Sequence, residues 1–435
     1  MRTTTIRRWA WIHKWSSLIC TVFMLLLCLT GLPLIFHHQI DDWLGNVVRA
    51  PDLPADTPRA DLDRVIAAGL ALYPNKVMQY MSREIDEDRI WYLTLGDSIL
   101  DPAFKSIAVD ARSALVLAEP KFEGTFMYYM FRLHVDLFAD LPGMLFLGLM
   151  GLLLLVAIAS GAVLYAPFMR KLEFGSVRRE RGARLGWLDT HNLLGIVTLV
   201  WALVVGATGM INTWADLVLR YWKSDQLAQM VAPHKNLPMP TTLAPVQRSV
   251  HAAQALAPGM DIAFIAWPGT AFSSNHHYGV FMRGQAALTA RLYKPVLVDA
   301  QTGTVSDSRS LPWYLAGLLV SQPLHFGDYG GLGMQLLWAV FDIATIAVLG
   351  SGIYLWCKRG GKAHAAMPAA AAAQRGAAEP AGAALSAPPG SARPGSAQPG
   401  SARPGSAQPG SARPGSARPG SARPGSARSG PARRA

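Results

Sequence analysis

Four of the eleven histidines in this 435-residue chain stand at the mouths of long apolar runs. His13 lies in RRWAWIHKW, just before the run 17–36, and His191 lies in WLDTHNLLG, opening the run 193–214. His134 lies in FRLHVDLF, nine residues before Gly143, and His325 in SQPLHFGDYGGLG, eight before Gly333. With Gly143 and Gly333 opening two further runs, the four sort by depth into one pair at each face of an apolar layer. Two imidazoles at one depth on different helices can hold a low-spin haem iron between them and leave no open coordination position. That arrangement serves electron transfer, not oxygen chemistry or hydrolysis. A single histidine at a span boundary is usually an interfacial polar residue; it is the matching of four in pairs by side and depth that points to haem. Zinc wants three or four nearby ligands, and the chain has no HExxH motif or tight Cys/His cluster. His37 and His38, at the far end of the first run, are alternative outer ligands or contacts for an external substrate. His276–His277 in SSNHHYG leaves metal binding and an exposed turn both open.

The elements that must position these residues are four apolar segments, 17–36, 143–165, 193–214 and 333–356, in a chain that is 51% hydrophobic. About 20 residues at ~1.5 Å rise cross a hydrocarbon core of about 30 Å. A helix is required because lipid offers no partner for free backbone groups. The first run is too long, and too flanked by tryptophan, to read as a cleaved signal peptide. Gly195, Gly206, Gly209, Gly350 and Gly352 allow helices or a flat porphyrin to approach closely, and Trp201 and Trp338 could line such a group. Asp342 is the unusual residue, because a charge inside lipid is costly.

Charge sets the orientation. Arg7, Arg8 and Lys14 precede the first span; Arg170, Lys171, Arg178, Arg179, Arg181 and Arg184 fill the loop between spans two and three; Lys358, Arg359 and Lys362 follow the fourth. All three clusters fall on one side, so the termini and the middle loop are expected in the cytoplasm. Much of the net charge of +12 belongs to the segment 363–435, with nine arginines against one glutamate, ending in SARPG and SAQPG pentads. Such a tail has no apolar periodicity and is expected to be disordered. What remains carries no broad basic surface for nucleic acid. Cys20, Cys28 and Cys357 sit in or beside apolar runs and form neither a disulfide framework nor a CxxC site.

The segments 39–142 and 215–332 are long enough to be small external domains. LDRVIAAGLALYP and VQRSVHAAQALAPG read as amphipathic helices; RIWYLTLG, SIAVDARSALVL, GVFMRG and AALTARLYKPVLVDAQTGTV read as strands, with Asp299 and Gly303 as turn residues. Span, external helix plus strands, span thus occurs twice. Neither external segment carries a nucleophile–base pair or a phosphate loop.

Three stretches resemble a known family, the PepSY-associated transmembrane proteins, which include the PiuB-like iron-uptake factors and the siderophore reductases. WIHKWSSL with the TG of LTGLP resembles its opening pattern, LGWLDTHNLLGIVTLVWALVVGATG its middle helix, and LHFGDYGGLGMQLLWAVFDIATIAVLGSGIYLW its closing signature. The external segments, with VLVDAQTGTV, look like PepSY modules, and the likeness spans about residues 6–360. It implies an all-α membrane core of four transmembrane helices with two extracytoplasmic α+β PepSY-like modules, in a bacterial inner membrane. The expected division is 1–38 for the cytoplasmic N-terminus and first span, 39–142 for a periplasmic module, 143–166 for the second span and 167–190 for the basic loop. It continues with 191–214 for the third span, 215–332 for the second periplasmic module, 333–357 for the fourth span and 358–435 for the cytoplasmic tail.

The resemblance further implies two b-type haems and reduction of siderophore-borne iron. His13 matches the family's first-span histidine, His134 the one before span two, His191 the third-span one and His325 the one in LHFGDYGG. Side and depth pair His13 with His191 inside and His134 with His325 outside. The expected partners are the lipid bilayer, a ferric siderophore in the periplasm and, since no GxGxxG fingerprint is present, a cytoplasmic or quinol electron donor that could dock on residues 178–184. The rival expectation is a haem-free, membrane-anchored accessory or sensory protein whose external modules bind peptide, protein or metal. A transporter is less well supported, because four spans offer few broken helices or midplane charges.

Overall fold

The computed structural model describes residues 3–85, 87–169, 173–286 and 289–376, with side chains as far as Lys358. Arg170, Lys171, the side chains of Arg359 and Lys362, and the SARPG and SAQPG pentads lie outside the described residues. The chain begins with α1 (Thr3–Ile35), α2 (His37–Trp43) and α3 (Leu62–Leu72), then strands β1 (Val77–Ser82), β2 (Ile90–Gly96), β3 (Lys105–Asp110) and β4 (Val116–Ala118). It returns through α4 (Phe126–Val135) and α5 (Asp140–Met169), and continues with α6 (Ala183–Val197) and α7 (Leu199–Asn212). Next come α8 (Ala215–Trp222), a π-helical turn over Lys223–Leu227, α9 (Ala228–Val231) and α10 (Val246–Leu256). Strands β5 (Asp261–Ala266), β6 (His277–Arg283), β7 (Tyr293–Asp299) and β8 (Val305–Ser308) follow, then α11 (Trp313–Phe326) and α12 (Gly331–Gly376).

Helices α1 and α5, and α12 over Gly331–Lys358, are long and apolar enough to cross a membrane; α6 and α7 together make a fourth candidate, bent by 66°. The bend was not foreseen from the apolar run alone. At Thr198 the side-chain hydroxyl bonds back to the Leu194 carbonyl at 2.9 Å, and the backbone relaxes to φ −86°, ψ −5°. Ser and Thr that bond back in this way loosen and bend helices.

The external segments do not form two separate modules. Their strands make one antiparallel eight-stranded sheet in the order β4-β3-β2-β1-β5-β6-β7-β8. Each segment alone would end in an unpaired strand, β1 or β5, and an exposed strand edge invites pairing. Here the two edges pair with each other, with Tyr80, Met81 and Ser82 opposite Ala266, Ile265 and Phe264. A single core then runs under the seam: Val65, Met81, Leu93 and Ile107 from the first segment pack with Val250, Ile265, Val280 and Val298 from the second, all at 0–1% exposure. Burying each such side chain stabilises the fold by ~1.5–3 kcal/mol.

The duplication foreseen in the sequence survives inside this joined sheet. In VDARSA, Asp110 Oδ1 accepts from the backbone of Arg112 and Ser113; in VDAQTG, Asp299 Oδ1 accepts from Gln301 and Thr302. Where the second turn has Gly303 at φ 72°, the first holds Ala114 at φ 62°. The two helices on the core face also cap each other. Asp63 accepts from the backbone N–H groups of Val246 (2.8 Å) and Gln247 (3.1 Å), while Gln247 Oε1 accepts from Leu62 N (2.9 Å). On the opposite face, Leu315, Leu318 and Leu319 of α11 pack with Trp222, Leu227, Met230, Phe281 and Leu297. That contact ties the helix carrying His325 to the sheet.

His276 and His277 are not an exposed turn. His277 is fully buried on β6, its Nδ1 2.6 Å from Ser274 Oγ and its Nε2 3.0 Å from Ser306 Oγ, and His276 Nδ1 donates to the Pro238 carbonyl at 2.7 Å. Burial, with the neighbouring His234 and His276 adding to it, pushes His277 down to about 4 from 6.5.

Two outcomes follow from this architecture. Asp63→Ala orphans the α10 donors and is expected to cost about 1 kcal/mol, read as a lower thermal midpoint of the detergent-solubilised protein. For His277 the unfolded chain binds the extra proton between pH 6.5 and about 4, so stability is fully present above that window and falls as the pH drops through it. The expected loss is roughly 1–3 kcal/mol, and thermal melts of His277→Gln should show a flatter acid limb.

Candidate functional site

A histidine buried among helices must give its ring N–H an acceptor, because an unpaired buried donor is costly. All four boundary histidines meet this demand in the same way. His13 Nδ1 on α1 lies 2.9 Å from the Ala157 carbonyl and 3.2 Å from Ser160 Oγ of α5. His191 Nδ1 on α6 lies 3.1 Å from the Val348 carbonyl and 2.9 Å from Ser351 Oγ of α12. His325 Nδ1 on α11 lies 3.0 Å from the Val205 carbonyl of α7. His134 Nδ1 on α4 lies 3.1 Å from Thr30 Oγ1 of α1, beside the Leu27 carbonyl. The three hydroxyls donate their own protons to carbonyls of their helices, Ser160 to Val156, Ser351 to Val348 and Thr30 to Leu26. They therefore accept from the rings. Each Nδ1 carries the proton, and each Nε2 keeps its lone pair.

Each ring also rests on a glycine of the helix that receives it. A Cβ built at Gly161 would lie 3.1 Å from His13 Cε1, at Gly31 3.1 Å from His134 Cε1, at Gly209 2.8 Å from His325 Cε1 and at Gly352 3.7 Å from His191 Cε1. In every case a hydroxyl residue precedes the glycine: Thr30-Gly31, Ser160-Gly161, Thr208-Gly209 and Ser351-Gly352. The pattern is two-fold. In the first half α1 gives His13 to α5 and receives His134 from α4; in the second, the α6–α7 pair gives His191 to α12 and receives His325 from α11. The sequence reading noticed Gly209 and Gly352 but missed the dipeptide. The signal was available: one hydroxyl–glycine step per span, with 18 residues from His13 to Gly31 and again from His191 to Gly209.

The structure brings together the residues that side and depth had paired. The His13 and His191 ring centres are 6.4 Å apart at an interplanar angle of 76°, and those of His134 and His325 are 6.1 Å apart at 54°. Two imidazoles binding one metal ion from opposite sides, at ~2 Å metal–nitrogen distances, hold their ring centres about 6 Å apart. Among the described residues no group of three or more His, Cys, Asp or Glu side chains could hold a bare metal ion. Two donors per site suit an iron that brings its own in-plane ligands, so the residues present fit haem.

Other expected participants fall elsewhere. The His37 and His38 rings lie 4.0 Å apart, tilted by 36°, and His37 Nδ1 is 2.9 Å from the Leu34 carbonyl; the ring facing His134 is that of His325. Trp338 packs on Gly327 and donates its Nε1 to the His325 carbonyl at 3.2 Å, so it fixes the ligand helix. Gly195 and Gly350 face open space, and Gly206 faces Leu154 and Leu155 of α5. In the basic loop, Arg178 is consumed internally: its backbone N, Nε and Nη2 all donate to the buried Asp189, at 3.0, 2.9 and 2.7 Å. That ion pair fastens the loop to α6 two residues before His191 and leaves Arg178 unsuited to docking a partner.

Residues 10–359 match the family described as the PepSY-associated TM region. The chain belongs to this family. It is also similar to an uncharacterised protein of Pseudomonas aeruginosa, 24% identical over 249 residues. The match takes in 53% of this chain and 63% of the relative's length. The family match runs from just before His13 to just after Gly352, so it contains all four histidines and all four glycine seats.

Gly209→Ala would force its methyl onto His325 and is expected to cost about 1–3 kcal/mol. Gly195→Ala, which meets nothing within 4 Å, should be neutral or stabilising by up to ~1 kcal/mol through helix propensity. Paired thermal unfolding curves of the two variants check the contrast.

Proposed function

We propose that this PepSY-associated membrane protein is a di-haem electron carrier of the bacterial inner membrane, related in activity to the siderophore reductases. It takes electrons from a cytoplasmic or quinol donor and delivers them to ferric siderophore iron in the periplasm. The observation that carries the reading is the pair of facing imidazole couples, each with Nδ1 pinned and Nε2 free. His13 and His191 would hold one b-type haem near the face of the chain termini, and His134 and His325 the other near the sheet. Haem supplies one-electron storage at each level; two imidazole ligands leave no position for oxygen or water.

The chain's own residues do the rest. Carbonyl acceptors at Nδ1 fix each ring's tautomer and raise its basicity toward iron. The arginines and lysines by α1 and α6 favour a cytoplasmic location for that face, which puts the sheet in the periplasm. Conversion of the substrate iron from ferric to ferrous weakens its binding by hard oxygen ligands. A second reading, a haem-free accessory or sensory binding protein, has one observation in its favour. A cleft of about 810 Å³ opens at the seam of the sheet, lined by Ile66, Met78, Ile99, Met239, Trp267 and Tyr278 among others.

The two readings separate in one preparation. Protein expressed with ample haem and purified in detergent should carry two haems per chain and show a reduced-minus-oxidised b-type spectrum; fewer than one would sink the electron-carrier reading. His191→Ala and His325→Ala should each lose a different haem, and ferric siderophore added to the reduced protein should reoxidise it.

A further inference from the structure

We propose that Asp342 is a proton-carrying site inside the membrane layer, taking up one proton for each electron that arrives at the outer histidine pair. The inference rests on the di-haem reading above. Asp342 is 6% exposed on α12, and its Oδ2 has no hydrogen-bond partner among the described residues. A buried carboxylate oxygen without a partner is a feature that folding alone does not favour.

Its position gives it a task. Four residues earlier on α12, Trp338 holds the His325 carbonyl, so Asp342 lies about one turn, ~6 Å, inward of the outer pair. On α1 the facing titratable group is the Cys28 thiol, three residues before the glycine that seats His134. Helices α5 and α7 bring no acidic or basic side chain into the layer at this depth. Toward the sheet, α4 and α11 bring His134 and His325, the outer pair itself. From α7 comes Trp201, whose Nε1 is likewise buried without a partner and whose ring packs on Trp338 and Phe341 at 6.4 and 5.9 Å.

The same helix carries a second buried polar side chain on the sheet side of Asp342. Gln335 is 8% exposed and accepts from Gln39 Nε2 at 3.0 Å. Gln335 and Asp342 are seven residues apart, so they share a face of α12 two turns apart. An electron placed in a low-dielectric layer raises the proton affinity of a nearby carboxylate. The step balances simply. His134 and His325 would hold the iron group that takes the electron from the quinol or cytoplasmic donor, a change from ferric to ferrous. Asp342 would pass from carboxylate to carboxylic acid with a proton from the water on the sheet side. When the electron leaves to the external acceptor, the proton returns.

The test is a spectroelectrochemical titration of the haem-loaded full chain between pH 6 and 9, with redox mediators and dithionite as reductant. One of the two midpoints should fall with rising pH by about 59 mV per unit, the slope for one proton per electron. Asp342→Asn should flatten that midpoint while keeping two haems and both bis-histidine spectra; Asp342→Glu should keep the slope. In the unmutated protein, a carboxylic-acid C=O band should appear in the reduced-minus-oxidised infrared difference spectrum and be absent from Asp342→Asn. Two pH-independent midpoints with two haems bound would overturn this inference alone, as would a slope that survives in Asp342→Asn. Fewer than one haem per chain would overturn it together with the electron-carrier reading.

Discussion

An imidazole cannot be buried between helices in an apolar layer unless its N–H finds an acceptor, and helices in such a layer have few to spare. The acceptor used here is a backbone carbonyl one turn before a glycine, joined at three of the four sites by a Ser or Thr hydroxyl. The missing Cβ lets the ring reach the backbone, while the hydroxyl at the preceding position turns its lone pairs outward. Most of the membrane core can be understood from this contact. It dictates where α1 meets α5 and α4, and where α12 and α11 meet the bent α6–α7 pair. The bend at Thr198 belongs to the same logic, because it lets His191 reach α12 while Gly209 receives the ring from α11.

The contact also makes the two sites depend on both halves of the duplicated chain. Each half seats one inner and one outer histidine on its own glycines, but neither half owns a pair. Pairing arises only when the halves face each other, and the sheet repeats this dependence outside the layer. Strands β1 and β5 would each be a bare edge alone; together they close a single sheet, and Asp63 and Gln247 cap one another's helices across the seam. Helix α11 links the two levels, packing three leucines against the sheet while holding His325 at its other end.

Membership of the PepSY-associated family fits this arrangement, since the matched residues enclose every histidine and every glycine seat. The electrostatics around the sites are sparing. At the inner level Asp189 is fully engaged by Arg178, which stabilises the loop and removes a charge that would otherwise sit bare near the layer. Asp342 meets the Cys28 thiol but no cation, and its Oδ2 has no hydrogen-bond partner among the described residues.

Much of the plan was legible in the chain itself. Hydropathy located the spans because every backbone group in lipid must be satisfied within a helix. The depth of His13, His191, His134 and His325 could be read from the chain, since rise per residue converts sequence position directly into height, and the rings of equal depth lie 6.4 and 6.1 Å apart. The duplication was legible for the same reason: the helix and strand patterns of the two segments, and the turn at Asp299 and Gly303, are local. What sequence position could not supply was lateral direction. Which glycine lies under which ring, that Trp338 donates to the His325 carbonyl, and that Arg178 is spent on Asp189 all depend on contacts between residues far apart in the chain. The joining of two expected modules into one sheet belongs here too, because a strand's pattern of buried residues does not name the strand beside it. Height along a helix is a property of the sequence; azimuth and partner are decided only when the helices and strands pack.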